Sequence, residues 1–169
     1  MLICAGNGES FVGAVPMGVG LIEMSINLTR LCLFDPPAYL LFVGSAGSYG
    51  DHEIFDLVES KSAANIELSF LLNSSYTPLD NIIKTTTEQE VIVNSSNYIT
   101  TDKELASKFL PLGIGLENME FFAFLRVAQE FDIPAGGLFC VTNYCHVDAH
   151  AEFVGNSARA KKLLEDRLL

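Results

Sequence analysis

Positive charge is scarce in this chain. Ten Lys and Arg stand against 21 Asp and Glu, a formal net charge of −11. The basic residues are scattered, and only Lys161 and Lys162 are adjacent. Such a chain has no basic face with which to displace counterions from a polyanion, so nucleic acid is excluded as a partner. Long apolar runs are missing as well. None is long enough to cross a membrane, and the opening MLICAG has no basic stretch ahead of it, so neither a membrane partner nor a secretory leader is expected. Paired cysteine spacings are also absent: Cys4, Cys32, Cys140 and Cys145 form no CxxC and no zinc-knuckle pattern. Three of them sit in apolar runs, where free cysteine behaves as a small hydrophobe. Reduced thiols in a cytoplasmic protein are expected.

Apolar residues make up 49% of the chain and charged residues only 18%. That excess needs a large core or a subunit interface. With Phe121, Phe122 and Phe124 crowded on one stretch, it predicts a homo-oligomer, most simply a dimer. The pattern along the chain alternates strands and helices. Residues 2–5 read as a buried strand closed by Gly6-Asn7-Gly8, and Leu21–Leu33 as a helix ended by Asp35-Pro36-Pro37. Tyr39–Val43 is apolar throughout, the mark of a strand covered on both faces, and leads to a Gly44-Ser45-Ala46-Gly47-Ser48 turn. Strands are predicted at Ile54–Val58, Val91–Val93 and Ala135–Val141, and a polar loop over 73–90. Helices are predicted at Asp102–Phe109, with a Thr/Asp cap, at Asn118–Phe131, and at Ala149–Leu169 with an interruption near Gly155. This is an α/β pattern: one three-layer α/β/α domain over residues 1–169, with a central, largely parallel or mixed sheet.

In open α/β sheets ligands bind beyond the carboxyl ends of the strands. Those ends carry Gly6-Asn7-Gly8-Glu9, Gly44-Ser45-Ala46-Gly47, Asn94 to Tyr98 and Thr142-Asn143, with Met119-Glu120 at the start of a helix. Two carboxylates among converging polar groups suit acid–base work on a small polar substrate. Taken one at a time, each has a plainer reading: a tight connection at Gly44–Gly47, a solvated Glu9, a helix-dipole charge at Glu120, a turn residue at Asn143.

In chain order, LICAGNGE, GVGLIEMSINLT, YLLFVGSAGS, SSNYI, ENMEFFAF and CVTNYC resemble the successive motifs of the nucleoside phosphorylase and nucleosidase superfamily. The resemblance runs from residue 2 to about residue 153. It implies cleavage of the N-glycosidic bond of a purine nucleoside without a cofactor or metal. Glu9 would activate the attacking water, and Ser45 would help to hold it. Met119 would pack under the ribose and Glu120 would accept from its hydroxyls. Tyr98 and Phe153 would flank the base, with the backbone at Ile99 holding it, and the Thr142-Asn143 pair would place Asn143 at N7 and the 6-position. Bond cleavage develops positive charge on the ribose and negative charge on the leaving purine, so a carboxylate and an amide donor at those places act most strongly in the transition state. A side-chain amide can both donate and accept, which favours 6-oxopurines. ENMEFF and TNY are more similar to the futalosine-hydrolase branch than to the methylthioadenosine branch.

The sequence also departs from the family pattern. Only eight residues separate Glu9 from Gly18, a shortened connection. Phe42 stands where phosphorylases of the hexameric branch place an arginine, and Arg30, Arg126, Arg159 and Arg167 all fall in predicted helices. A desolvated phosphate dianion would lack a cationic partner. Water is therefore expected as the nucleophile. The alternatives are a phosphorylase, with phosphate as co-substrate, and a degenerate nucleoside-binding or scaffold protein. His146 and His150 have the spacing of one helix face, but no third metal ligand accompanies them.

Overall fold

A computed structural model describes residues 1–84 and 90–169. Its strands are β1 (Leu2–Cys4), β2 (Ala14–Pro16), β3 (Leu40–Ser48), β4 (Leu57–Ser60), β5 (Ser62–Ala64), β6 (Ile82–Ile83), β7 (Ile92–Ser95), β8 (Ile114–Asn118) and β9 (Ala135–Tyr144). The helices are α1 (Gly20–Phe34), α2 (Leu68–Leu71), α3 (Lys103–Ser107), α4 (Phe121–Glu130) and α5 (Ala149–Leu168). The strands form one mixed sheet in the order β2-β1-β3-β8-β7-β5-β6, with β9 alongside β3 and β4 alongside β9.

Alternation along the central strands explains why they are apolar throughout. Phe42 and Phe139 project to one face, where they pack with Met24 and Leu28 of α1 and Phe121 and Phe124 of α4. Val43, Leu138 and Cys140 project to the other, against Ala160 and Leu164 of α5. Both faces are covered, as predicted. The phenylalanine run is therefore core rather than interface: Phe121 and Phe124 are fully buried, and Phe42 lies 5.6–6.0 Å from the rings of Phe121, Phe124 and Phe139. All four cysteines are free and buried. Among the described residues no helix is long and apolar enough to cross a membrane.

The strand β3 organises the site. Its first half pairs in parallel with β1, its last two residues pair antiparallel with β8, and β9 runs beside it throughout, with a bulge at Ala46/Gly47. Where β3 changes partner from β1 to β8, the ends of those two strands splay apart. That gap is the switch point at which such sheets bind ligands.

Several elements differ from the sequence reading. Gly44–Ser48 is strand rather than turn, held in register by β9 on one side. Ile54–Asp56 is a turn in which Phe55 takes a φ of 77° and donates its N–H to the Val141 carbonyl, so the strand begins only at Leu57. Within the predicted 73–90 loop, Ile82–Ile83 pairs with β5, while residues 85–89 lie outside the described residues. Asn118 ends β8 rather than opening α4. The helix α5 passes through Gly155 unbroken. An exposed helical glycine costs only about 1 kcal/mol, too little to interrupt a well-packed helix.

Candidate functional site

The chain leaves β1 through Gly6-Asn7-Gly8-Glu9 and turns back on itself. Asn7 and Gly8 have φ of 52° and 111°, the left-handed pair that a two-residue turn requires. Glu9 N–H donates to the Gly6 carbonyl at 3.1 Å, closing the turn. Glu9 is thereby laid over the middle of β3, where its Oε1 accepts the Ser45 N–H at 3.1 Å. Burial pushes its carboxyl above the ordinary range, and the Ser45 hydroxyl and amide pull it part of the way back.

Glu120, in the connection between β8 and α4, lines the same cavity as Glu9. Asn118 fixes this stretch: its Oδ1 accepts from the Glu120 and Phe121 N–H groups at 2.8 and 2.9 Å, and its Nδ2 donates to the Ser45 carbonyl at 3.1 Å. Glu120 Oε1 accepts the Gly20 N–H at 2.8 Å, at the N-terminus of α1, where the helix dipole favours negative charge. Gly20 sits at φ 85°, and a Cβ there would come within 2.8 Å of Asn97 Oδ1, so no other residue presents this N–H without strain. Glu120 is nonetheless 3% exposed, and burial, reinforced by the charge of Glu9, raises its pKa to about 7.

On β9, Asn143 Oδ1 accepts from the Thr142 hydroxyl at 2.9 Å and its Nδ2 donates to the Tyr144 carbonyl at 3.2 Å. These contacts leave one lone pair and one N–H of the amide for a ligand.

A cavity of about 270 Å³ brings these groups together. Of the residues singled out from sequence, Glu9, Ser45, Ile99, Met119, Glu120, Asn143 and Phe153 line it. Two do not. Tyr98 is 83% exposed and lies in a bend; it lines a neighbouring pocket that Ile99 also lines, and of the two only Ile99 reaches the cavity. Thr142 lies beneath, fully buried, and reaches the cavity only through its bond to Asn143. Phe42 belongs to the aromatic core and not to this cavity.

The cavity also holds residues that the sequence reading gave no role: Asn7, Val19, Glu117, Asn118 and His150. Glu117 and Asn118 stand inside the ENME motif, and only the strand pairing of β8 separates their directions. His146 precedes α5 and is held by the Asp148 N–H and Glu152, so it shares no helix face with His150. Among the described residues no group of three or more His, Cys, Asp or Glu could hold a metal ion.

Chemically, the cavity offers the carboxylates of Glu9, Glu117 and Glu120, the side-chain amides of Asn7, Asn118 and Asn143 and the imidazole of His150, with no Lys or Arg in its lining among the described residues. It can take a proton, stabilise developing positive charge and recognise a polar edge. It offers little to a dianion.

The family model of the phosphorylase superfamily matches residues 2–169. Among curated proteins nothing matches. Among solved structures, similarity is found to a Helicobacter pylori MTAN mutant (D198N) with 5'-methylthioadenosine in the active site. That match has TM-score 0.78 and 18% identity, covering 92% of this chain and 77% of the other. The native futalosine hydrolase of Helicobacter pylori is similar at TM-score 0.78 and 18% identity, over 92% of this chain and 76% of its own. The Streptococcus pneumoniae 5'-methylthioadenosine/S-adenosylhomocysteine nucleosidase, bound to a transition-state inhibitor, is similar at TM-score 0.79 and 12% identity, over 99% and 95%.

Proposed function

The chain belongs to the phosphorylase superfamily, and on that footing we propose that it hydrolyses the N-glycosidic bond of a purine nucleoside, releasing the free base. The observation that carries water rather than phosphate is the charge of the cavity: Glu9, Glu117 and Glu120 line it and, among the described residues, no Lys or Arg does. Desolvating a phosphate dianion among carboxylates would be strongly unfavourable. The similar solved structures are a futalosine hydrolase and nucleosidases, which supports the same reading. No cofactor is needed.

In this reading Glu9 takes a proton from the attacking water while Ser45 helps to hold that water. The water oxygen bonds to the anomeric carbon as the C–N bonding pair leaves with the purine; the purine takes a proton from solvent and Glu9 returns to solvent the one it took from the water. Glu120 accepts from the ribose hydroxyls and stabilises the cationic ribose, above Met119. Phe153 and Ile99 bound the base. The test is incubation with inosine, guanosine, adenosine and futalosine, with and without phosphate, followed by chromatography of the released base and sugar. Release of base and free ribose without phosphate is the expected result.

The amide of Asn143 favours a 6-oxopurine. Its Oδ1 is held by Thr142 and its Nδ2 by the Tyr144 carbonyl, so the side chain offers the base both a donor and an acceptor. In Asn143→Asp the atom facing that carbonyl becomes an oxygen, and the group serves best when protonated. Inosine should lose ground to adenosine in kcat/KM by about 1–3 kcal/mol, the scale of one buried mismatch. An unchanged inosine-to-adenosine ratio would remove Asn143 from base selection.

The same reading includes self-association. With the phenylalanine run inside the core, exposed apolar surface is found elsewhere, including Ile22, Ile26, Leu33 and Phe34 on α1. Light scattering at micromolar concentration should return a dimer mass or higher, and a monomer mass would refute it.

A further inference from the structure

Glu117 is the one cavity carboxylate that this chemistry does not use, and its surroundings differ from those of Glu9 and Glu120. It is 6% exposed, and its two oxygens accept from four donors on three separate segments. Oε1 accepts the Thr100 N–H at 2.9 Å and the Cys145 thiol at 3.8 Å. Oε2 accepts the Tyr49 hydroxyl at 2.9 Å and the Thr100 hydroxyl in a short bond. With Glu117 ionised, all four bonds run toward the carboxylate. An N–H can only donate, and the Tyr49 oxygen already receives the Asn94 Nδ2–H at 3.4 Å, leaving its own proton for Glu117. The Tyr49 ring is itself clamped, stacked on Phe109 at 4.2 Å. The pocket around Glu117 is thus built from donors and suits an acceptor-only group.

What Glu117 holds matters for the cavity. Thr100 follows Ile99, which is half exposed and forms the wall between this cavity, shared with Glu9 and Asn143, and the neighbouring pocket. Glu117 grips Thr100 by both backbone and side chain, and among the described residues Thr100 makes no hydrogen bond to β3 or β9 that would replace that grip. Glu117 also pairs with Gly47, which on its other side pairs with Asn143, and Cys145 lies two residues further along the chain, just past the end of β9.

We propose that Glu117 is a positioning residue that sets base affinity, fixing the Ile99 wall through Thr100 at the right separation from Asn143. This rests on the purine-nucleoside reading above. It predicts a particular split. Glu117 touches neither the water site nor the groups assigned to the ribose, so loss of its grip should loosen base binding and leave the chemical step alone.

Thr100→Val removes the hydroxyl and keeps the backbone N–H, with little change of shape. Its Kd for hypoxanthine or adenine by calorimetry, and its KM for the nucleoside, should each rise about tenfold, the scale of one charge-assisted hydrogen bond, with kcat within about twofold. Thr100→Ser should restore both, and Glu117→Gln should follow Thr100→Val, since an amide N–H₂ would oppose the two hydroxyl donors. If Thr100→Val and Glu117→Gln lower the melting temperature but leave base Kd and KM unchanged, Glu117 is a stabilising residue only and the inference is overturned. A fall in kcat at unchanged base Kd overturns it too. Wild type that neither binds a purine base nor cleaves any of the four nucleosides overturns the functional reading and this inference with it. Wild type that does both, with variants indistinguishable from it, overturns this inference alone.

Discussion

Glu9→Gln should abolish turnover while leaving the affinity for a free purine base nearly unchanged. The substitution is geometrically mild. A glutamine Oε1 can still accept the Ser45 N–H that holds Glu9 at 3.1 Å, so the turn over β3 has no reason to move. What disappears is the proton acceptor. A positioned general base is worth about 10²–10⁴ in rate, and among the cavity's three carboxylates only Glu9 is hydrogen-bonded to Ser45. Burial raises the Glu9 carboxyl toward working pH, which is the adjustment a base needs to take a proton without being a permanently solvated anion. The base-binding side, at Asn143, Ile99 and Phe153, is made from other elements and should be unaffected. Single-turnover assays with inosine and calorimetry with hypoxanthine separate the two halves of the expectation. Wild type in phosphate-free buffer should release free ribose and no ribose 1-phosphate. Strict phosphate dependence would defeat the hydrolase reading, and Glu9→Gln with substantial residual turnover would move the base elsewhere.

The sequence carries this site unevenly, for reasons that can be located. Glu9 is legible through the resemblance of LICAGNGE to the family's first motif; read alone, Gly6-Asn7-Gly8 gives a turn after a short apolar strand and leaves Glu9 a solvated carboxylate. Glu120 was legible as a motif, but its element was misplaced. Asn118 has a helix-start composition, yet Asn118 caps from the strand side, and Ile114–Asn118 pairs with β7 and with the end of β3. Ser62-Ala63-Ala64 contains no β-branched residue, so β5 has no local signature; its pairing with β6 and β7 makes it a strand. Gly44–Ser48 looks like a turn in sequence because small residues usually bend. Here they stay extended: a methyl on Gly44 would lie 2.9 Å from the Phe42 ring, and one on Gly47 2.9 Å from Asn143 Nδ2. Tyr98 drew attention as the aromatic of SSNYI. Which of two adjacent residues faces a cavity depends on the anchoring of the segment, and Thr100 bound to Glu117 anchors it so that Ile99 turns in. No local pattern could show that a carboxylate distant in sequence was the anchor.

Glu120→Gln should give a protein that is nearly inactive and, above neutral pH, more stable than wild type. The activity side follows from its assigned place at the ribose. Glutamine can keep the Gly20 N–H bond, so binding is largely retained. The negative charge facing the cationic ribose is gone, and one preorganised electrostatic contact is worth about 10²–10³ in kcat. The loss should therefore fall on kcat far more than on KM; a variant that loses only affinity would make Glu120 a uniform binding group. The wild-type rate should also decline as pH falls through about 7, where burial places the Glu120 pKa, because protonation removes the same charge. The stability side follows from linkage. In the unfolded chain this carboxyl loses its proton near its ordinary value of 4.5, and in the folded protein only near 7. Between those values the folded state holds the extra proton, so its stability is full below 4.5 and declines as pH rises to about 7. For a group moved from 4.5 to about 7 the decline is on the order of 3 kcal/mol. Glu9 and Glu117, raised by the same burial, act in the same direction. Glutamine carries no such burden, so Glu120→Gln should flatten the pH dependence and exceed wild type in urea titrations at pH 8 while showing little or no gain at pH 4.5. The charge that the reaction uses would then be held at the expense of the fold, the trade expected where a site is built against stability. A variant less stable than wild type at pH 8 would mean that the Gly20 bond, and not the desolvated charge, dominates at this position.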